Sequence, residues 1–126
     1  MVKEKKNILD LQSILDNTPE TIEVPEFGSI VVRCPTTKDK LEAKREALKI
    51  TEGLTPDDAI VEQGRILALK MIKEPIISLD SYLDSDNVKI SVVLDAVSKW
   101  YYLKIRGYNE KNQEQLKDFL EQMKET

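Results

Sequence analysis

The strongest constraint on the fold is a concentration of β-strand signal in residues 21–39, TIEVPEFGSIVVRCPTTKD, in a chain that otherwise carries helical patterns. Ile22 and Val24 alternate with polar neighbours, a Pro-Glu-Phe-Gly turn follows, and residues 29–33 are rich in β-branched side chains. These features predict one β-hairpin over residues 20–34. Since a hairpin is only marginally stable alone in water, it must pack on the helices or pair with a partner's strand. An outer edge left unpaired would be a candidate contact between copies of the chain.

Residues 1–19 are predicted to form an N-terminal helical arm. Within residues 4–16, Ile8, Leu11 and Leu15 share one face of an amphipathic helix, and an Asn-Thr-Pro sequence ends it. The arm is either a lid packed on the core or a mobile segment that docks on a partner.

Residues 36–105 are predicted to form the helical core. Thr36 and Thr55 are typical N-terminal caps, and a dense apolar pattern over residues 88–105 indicates the central helix. Gly64 lies within the second helix, where it is expected to permit close helix contact. The residues expected to face inward there are Ile60, Gly64, Leu67, Ala68 and Met71.

Gly107 is expected to end the central helix, so that residues 109–126 form a separate C-terminal amphipathic helix. The apolar stripe of that helix consists of Leu116, Phe119, Leu120 and Met123. The predicted fold is therefore one domain over residues 1–126, mainly α with one small β-hairpin near the N-terminus (α+β). About four to five helices would pack in one layer-on-layer bundle.

The charge pattern argues against nucleic-acid binding. The net charge is −4, and the 19 basic and 23 acidic residues are mixed along the chain without a basic stripe. Cys34 is the only cysteine, which excludes an intrachain disulfide and suits a reducing cytoplasm. No apolar run approaches the roughly 18 residues of a membrane span, so we expect no membrane association.

The residue types give little support for catalysis or for a metal. The chain has no histidine, which excludes the commonest general base and metal ligand. Asp57 and Asp58 suit a helix start, while Asp80, Asp84 and Asp86 lack the Gly and Glu of a calcium loop. We therefore expect no enzyme, no cofactor and no metal.

Trp100, Tyr101 and Tyr102 form an aromatic cluster, with Tyr108 nearby. Three consecutive residues of a helix point in three directions, so they cannot all face one core. Either a core Trp is flanked by two half-exposed tyrosines, or the tyrosines anchor an interface.

The order of several short motifs resembles the tail assembly chaperones of long-tailed phages and prophages, in the group found in Gram-positive bacteria. An R-x-P-T step after the strand is present at Arg33, Pro35 and Thr36. A basic-acidic-Pro step follows the second helix at residues 73–75, and a Gly-aromatic pair at residues 107–108 follows the long helix. The resemblance covers roughly residues 20–110.

The resemblance implies a non-enzymatic helper that coats the long, helical, apolar tape measure protein before tail-tube subunits polymerise around it. It also implies self-association into a homo-oligomer, and contacts with the major tail protein and with a longer frameshifted form of the chain. The expected location is the cytoplasm of the bacterial host and not the mature virion.

Two other functions stay open from the residues: a small helical phage regulatory or DNA-associated protein, and an enzyme that uses carboxylates. For the chaperone, the candidate partner-binding residues lie on the terminal helices and the aromatic cluster. They are Ile8, Leu11, Leu15, Tyr101, Tyr102, Leu116, Phe119, Leu120 and Met123.

Overall fold

A computed structural model describes residues 8–125, except for the side chains of residues 115, 116, 119 and 122–125. This part of the chain contains five helices and three strands. In chain order they are α1 Leu11–Leu15, β1 Glu20–Val24, β2 Gly28–Val32, α2 Thr37–Ile50, α3 Pro56–Met71, β3 Ile72–Glu74, α4 Leu79–Asp84 and α5 Asn87–Glu125. The prediction of a mainly helical α+β fold with a small β element near the N-terminus is confirmed.

The predicted hairpin is formed by β1 and β2, which pair antiparallel with Ile22 opposite Ile30. Its turn is closed by the Phe27 amide, which donates to the Val24 carbonyl at 3.1 Å. Pro25 supplies the fixed φ at the second turn position, and Glu26 follows at a φ of 72°. The turn therefore sets the register that buries Val24 and Ile30 on one face.

A third strand, β3, was not predicted from the sequence. It follows α3 without a loop and pairs antiparallel with β2, which gives the sheet order β1-β2-β3. The Arg33 amide extends this pairing by donating to the Met71 carbonyl at 2.9 Å. β2 is thus the central strand, and within the described residues β1 is an outer edge.

Local capping chemistry starts α2 and α3 at the predicted residues. Thr36 Oγ1 accepts from the Asp39 amide at 3.1 Å, and Asp39 Oδ2 accepts from the Thr36 amide at 2.9 Å. Thr55 and Asp58 form the same reciprocal cap at the start of α3.

The main core lies between the sheet, α3 and the first half of α5. Val32 of the central strand is fully buried there against residues such as Met71, Leu94 and Val97. A second, smaller cluster joins α2 to α3, where Ala43 and Ala47 pack on Ile66. The small side chains of α2 allow its backbone to approach α3 closely.

The expectation of close contact at Gly64 is wrong. Gly64 is exposed, and a Cβ added there would meet no heavy atom within 4 Å. Ile60 is 68% exposed, so it does not face inward either. The face of α3 that packs is shifted around the helix, and its buried residues are Ile66, Ala68, Leu69 and Met71.

The predicted helix break at Gly107 is also wrong, because α5 runs without interruption for 39 residues. At a rise of 1.5 Å per residue, this corresponds to about 58 Å. A glycine weakens a helix by about 1 kcal/mol relative to alanine but does not by itself end it. The Glu, Lys, Gln and Leu residues after Gly107 are good helix formers, so the helix continues through it.

Candidate partner-binding surfaces

The most prominent surface is the second half of α5, residues 103–125, which we call the α5 extension. In the first half of the helix, Ile90, Leu94 and Val97 form a buried stripe at spacings of three and four residues. Tyr101 continues this stripe and is partly buried against the core. From Ile105 onward, every described side chain of the helix is exposed. The apolar face that packs on the core in the first half of α5 therefore continues into the α5 extension, where no described residue covers it.

The apolar side chains of the α5 extension follow the same periodicity. Ile105 lies four residues after Tyr101, and Tyr108 lies three residues further along. Tyr108 is 64% exposed, and Leu120 near the other end is also exposed. Helix spacing places these residues on one broad side, in two apolar patches that the polar residues 109–115 separate, and a second helix could contact both patches.

The aromatic cluster divides between the core and the surface. Trp100 and Tyr101 are partly buried, whereas Tyr102 is exposed. Of the other candidates on α5, Leu120 is described and exposed. Leu116, Phe119 and Met123 belong to α5, but their side chains fall outside the described part of the structure.

The base of the α5 extension is attached to the sheet by Lys104. Its Nζ lies 5.4 Å from the centre of the Trp100 ring and forms an ion pair with Glu20 of β1. The hydrogen bond to Glu20 raises the pKa of the Lys104 ammonium above its ordinary value. The ion pair with Glu20 thus ties the start of the extension to β1.

A second apolar surface lies in residues 8–15, which we call the N-terminal segment. Its five large apolar side chains are Ile8, Leu9, Leu11, Ile14 and Leu15, and each is between 59% and 71% exposed. Asp10 caps the short α1 by accepting from the Gln12 amide at 3.1 Å. The interpretation of this segment as a packed lid is therefore wrong for the described residues, and Ile8, Leu11 and Leu15 remain candidate contact residues.

The N-terminal segment is attached beside the R-x-P-T step. Asn17 Nδ2 donates to the Cys34 carbonyl at 2.8 Å. A groove of about 1020 Å³ runs between residues 13–18, residues 33–37 and the base of the α5 extension at Lys104 and Tyr108. The segment and the extension therefore lie at the same end of the molecule.

A third surface, an acid-rimmed groove, was missed in the sequence. It has a volume of about 430 Å³ and lies where the end of α2, the start of α3, α4 and the start of α5 meet. Its apolar lining residues are Ile50, Leu54, Val61, Leu83 and Ile90, and its acids are Asp58 and Glu62. Leu54, Val61 and Leu83 are exposed. In the sequence, the only signal for this groove is that these large apolar residues are not explained by the helical patterns.

Tyr82 forms part of the wall of this groove. Its hydroxyl donates to Glu62 Oε2 at 2.6 Å, and Arg65 lies 5.4 Å from the centre of its ring. Desolvation by burial, reinforced by the Glu62 carboxylate, raises the pKa of Tyr82 to about 12. The Arg65 guanidinium also donates to Ser91 Oγ at 3.1 Å, so α3, α4 and α5 are connected here.

Two of the acidic groups considered in the sequence, Asp58 and Asp86, serve as helix caps. Asp86 accepts from the amides of Val88 and Lys89 at 2.9 and 3.1 Å, and these hydrogen bonds lower the pKa of the carboxyl. Asp58 belongs to the α3 cap. Among the residues that the structure describes, no group of three or more His, Cys, Asp or Glu is placed to hold a metal ion. In the same part of the chain, no helix combines the length and apolar character needed to cross a membrane.

Scans of protein-family models, of curated proteins and of solved structures found no match to this chain.

Proposed function

We propose that this protein is a phage tail assembly chaperone, a non-enzymatic protein that binds the tape measure protein and keeps it soluble during tail-tube assembly. The observation that carries the proposal is the α5 extension. It continues the core-packing stripe of α5 into a region where every described side chain is exposed. A tape measure protein is long, helical and apolar, and it would supply the helix that pairs with this stripe.

The energetics of an exposed helix support a partner of this kind. Most helical stability in proteins comes from the packing of an apolar face rather than from the intrinsic propensity of the residues. In the α5 extension, Ile105, Tyr108 and Leu120 are available for such packing. An amphipathic helix that binds a second helix through anchors at spacings of three and four residues is a common recognition mode.

The motifs that resemble the tail chaperones also lie together in the fold. Arg33 of the R-x-P-T step donates its amide to the Met71 carbonyl, directly before the strand that carries residues 73–74. Thr36 of the same step caps α2. Two motifs that are about 40 residues apart therefore form one structural unit, which supports their interpretation as a family pattern.

The test is co-expression of the full chain with a helical fragment of a tape measure protein from a phage of Gram-positive bacteria. We expect the fragment to become soluble and to co-purify with the wild-type chain. The triple variant Tyr102→Ser, Ile105→Ser, Tyr108→Ser should lose the fragment. The matched control is Leu41→Ser with Leu48→Ser, because these two exposed apolar residues lie on α2, outside the α5 extension.

Two results would contradict the proposal in different ways. If the triple variant retains the fragment while the control behaves like wild type, residues 102–108 are not the binding surface. If the wild-type chain fails to bind tape measure fragments but shifts duplex DNA in a salt-dependent manner, the DNA-associated alternative replaces the chaperone.

A further inference from the structure

We propose that the outer edge of β1 binds an extended segment of a partner protein, in which apolar and basic residues alternate. The segment adds a strand to the sheet and inserts its apolar side chains into the groove between β1 and α5, which we call the edge groove. The inference goes beyond the grip on the tape measure protein, because that grip takes a helix. The edge groove shares only Leu103 with the α5 extension.

The outer side of β1 offers main-chain groups for pairing. β1 pairs with β2 along Glu20–Val24, and β2 pairs on its other side with β3. In an antiparallel pair, alternate residues direct their N–H and C=O groups away from the neighbouring strand. No described strand pairs with that side of β1. An extended segment of another chain can satisfy these groups, which is how peptides bind to exposed sheet edges.

The edge groove is largely apolar and partly open to solvent. Its volume is about 530 Å³, which is within the range of sites that bury a ligand. Val92 is 36% exposed and Leu103 is 52% exposed, while Trp100 is partly buried. The apolar residues that line the groove are Ile22, Pro25, Val92, Ala96, Trp100 and Leu103. Apolar side chains of a bound segment would therefore find apolar partners here.

The two walls of the groove have similar lengths. The five residues of β1 extend over about 17 Å at 3.4 Å per residue. On α5 the lining residues lie between positions 92 and 103, which is also about 17 Å at 1.5 Å per residue. A residue paired with Ile22 would share its face and point toward α5, whereas a residue paired with Glu23 would point to the other face. The segment therefore needs about five residues in strict alternation.

The charges around the edge select the polar residues of the segment. Glu23 and Asp95 line the groove and are exposed, and Glu26 follows in the adjoining turn. Among the described residues, none of the ion pairs includes any of these three acids. Lys99 is the single base in the groove lining. Opposite charges across neighbouring strands stabilise a sheet and like charges destabilise it, so basic residues fit this edge.

A second copy of β1 does not have this chemistry. Its five residues include Glu20 and Glu23 and contain no base. Pairing two β1 edges would add acids to an edge that is already acidic, which like-charge repulsion disfavours. The edge is therefore assigned to a basic segment of a different protein rather than to a copy of this chain.

Trp100 provides the measurement, because it is the only tryptophan of the chain and lines the edge groove. The probe is the synthetic peptide acetyl-GKIKVKG-amide, titrated into the full chain while tryptophan emission is recorded. We expect a saturable shift of the emission to shorter wavelength as apolar side chains displace water from the indole. A peptide with Glu in place of each Lys should bind about tenfold more weakly. A peptide of the same composition without the alternation should also bind more weakly.

Main-chain pairing is tested by N-methylation of alternate amides of the peptide. An added strand has one edge against β1 and the other edge in water. Methyl groups on one set of alternate amides should therefore abolish binding, whereas methyl groups on the other set should leave it unchanged. Equal effects of the two sets would contradict strand addition. A peptide that causes no shift of the emission at millimolar concentration would overturn the proposal.

A charge exchange tests whether the peptide lies at β1. Glu23→Lys with Asp95→Lys should weaken binding of the Lys peptide about tenfold and strengthen binding of the Glu peptide. The matched control is Glu52→Lys with Asp84→Lys, because these exposed acids lie outside the edge groove and their exchange changes the net charge equally. The control should bind like wild type. Equal losses in the two double variants would show a general attraction to the acidic chain, and the proposal would be wrong.

The triple variant Tyr102→Ser, Ile105→Ser, Tyr108→Ser separates the edge from the grip on the tape measure protein. It should bind the peptide like wild type, because none of the three residues lines the edge groove. Loss of the peptide with an unchanged circular dichroism spectrum would place the peptide on the α5 extension and contradict the assignment to β1.

The result for the edge and the result for the tape measure protein are independent. If the wild-type chain fails to bind a tape measure fragment but binds the Lys peptide as described, the proposed function is wrong and the edge proposal is supported. A shift of the tryptophan emission with protein concentration alone, without peptide, would show that a second copy occupies the edge. That outcome would overturn the assignment to a different protein.

Discussion

Tyr82 and Arg65 together connect three helices. The ring of Tyr82 lies under the Arg65 guanidinium, its hydroxyl donates to Glu62, and its backbone belongs to α4. Arg65 continues the connection to Ser91 of α5. A buried phenol that donates to a carboxylate makes a stronger hydrogen bond than a neutral pair does, so this residue stabilises the helix junction beside the acid-rimmed groove.

Replacing Tyr82 with Phe is expected to lower the free energy of unfolding by about 1.5 kcal/mol at pH 7, because the bond to the Glu62 carboxylate is lost. Burial raises the pKa of the folded-state phenol to about 12 from 10.0. The contribution of the hydroxyl is therefore complete below pH 10 and is lost as the pH rises toward 12. Urea unfolding of both proteins at pH 7 and at pH 11 measures this change.

Tyr102→Phe is the matched control, because that phenol is exposed. Its effect should stay within about 0.5 kcal/mol at both pH values. A difference between wild type and Tyr82→Phe that is unchanged from pH 7 to pH 11 would contradict the assignment of the raised pKa.

Residue-level features were predictable from the sequence where they depend on close neighbours in the chain. Thr36 and Asp39 are three residues apart, so their reciprocal cap could be predicted from spacing alone. Glu62 and Tyr82 are twenty residues apart and meet only after α3 and α4 have packed. No periodic pattern carries that information, so this contact and the groove beside it were missed.

Among the elements, α3 contains a glycine that its packing does not require. Gly64 lies in the interior of the helix and is exposed, and its backbone has ordinary negative φ. An added methyl group would meet no heavy atom within 4 Å. The glycine therefore costs conformational entropy without giving a closer helix contact in return.

The substitution Gly64→Ala is expected to raise the free energy of unfolding by up to about 1 kcal/mol. The midpoint of urea unfolding should increase while the slope stays constant, since the buried surface is unchanged. A loss of stability would instead mean that a neighbouring helix approaches Gly64 as the sequence pattern first indicated.

The central strand β2 is the element on which the sheet depends. Val32 is fully buried between the sheet and the helices, whereas the neighbouring Val31 points to the other face and is only partly buried. Val32→Ala should lower the free energy of unfolding by about 2 kcal/mol through lost burial and the cavity left behind. Val31→Ala in the same strand should cost clearly less in the same urea experiment. Equal losses would contradict the assigned register.

Element boundaries were predictable where turn or cap chemistry is local, and they were missed where tertiary pairing decides. Strand β3 has only three residues and follows α3 directly, so its sequence cannot be distinguished from a helix end. It is a strand because β2 offers an open edge. At Gly107 the sequence predicts a helix end, because glycine often ends helices. The residues after it favour helix, so the helix continues.

At the scale of the whole molecule, a folded body is joined to a helix that extends from it. The main buried core includes residues from Val24 to Val97, with Trp100 and Tyr101 packed against it. The described side chains of α5 from Ile105 onward are exposed, so they contribute little to the stability of the body. The proposed grip on the tape measure protein lies on the α5 extension, beyond the residues that form this core.

This division predicts that a chain ending at Tyr108 keeps the stability of the folded body and loses part of the proposed grip. Removing residues 109–126 should change the free energy of unfolding by less than about 0.5 kcal/mol, because the described side chains of the deleted part are exposed. The shortened chain should retain less of a tape measure fragment, because it lacks the far part of the α5 extension with the exposed Leu120. Urea unfolding and co-purification measure the two properties on one variant. Full retention of the fragment would place the grip before residue 109, and a large loss of stability would mean that residues 109–126 support the body.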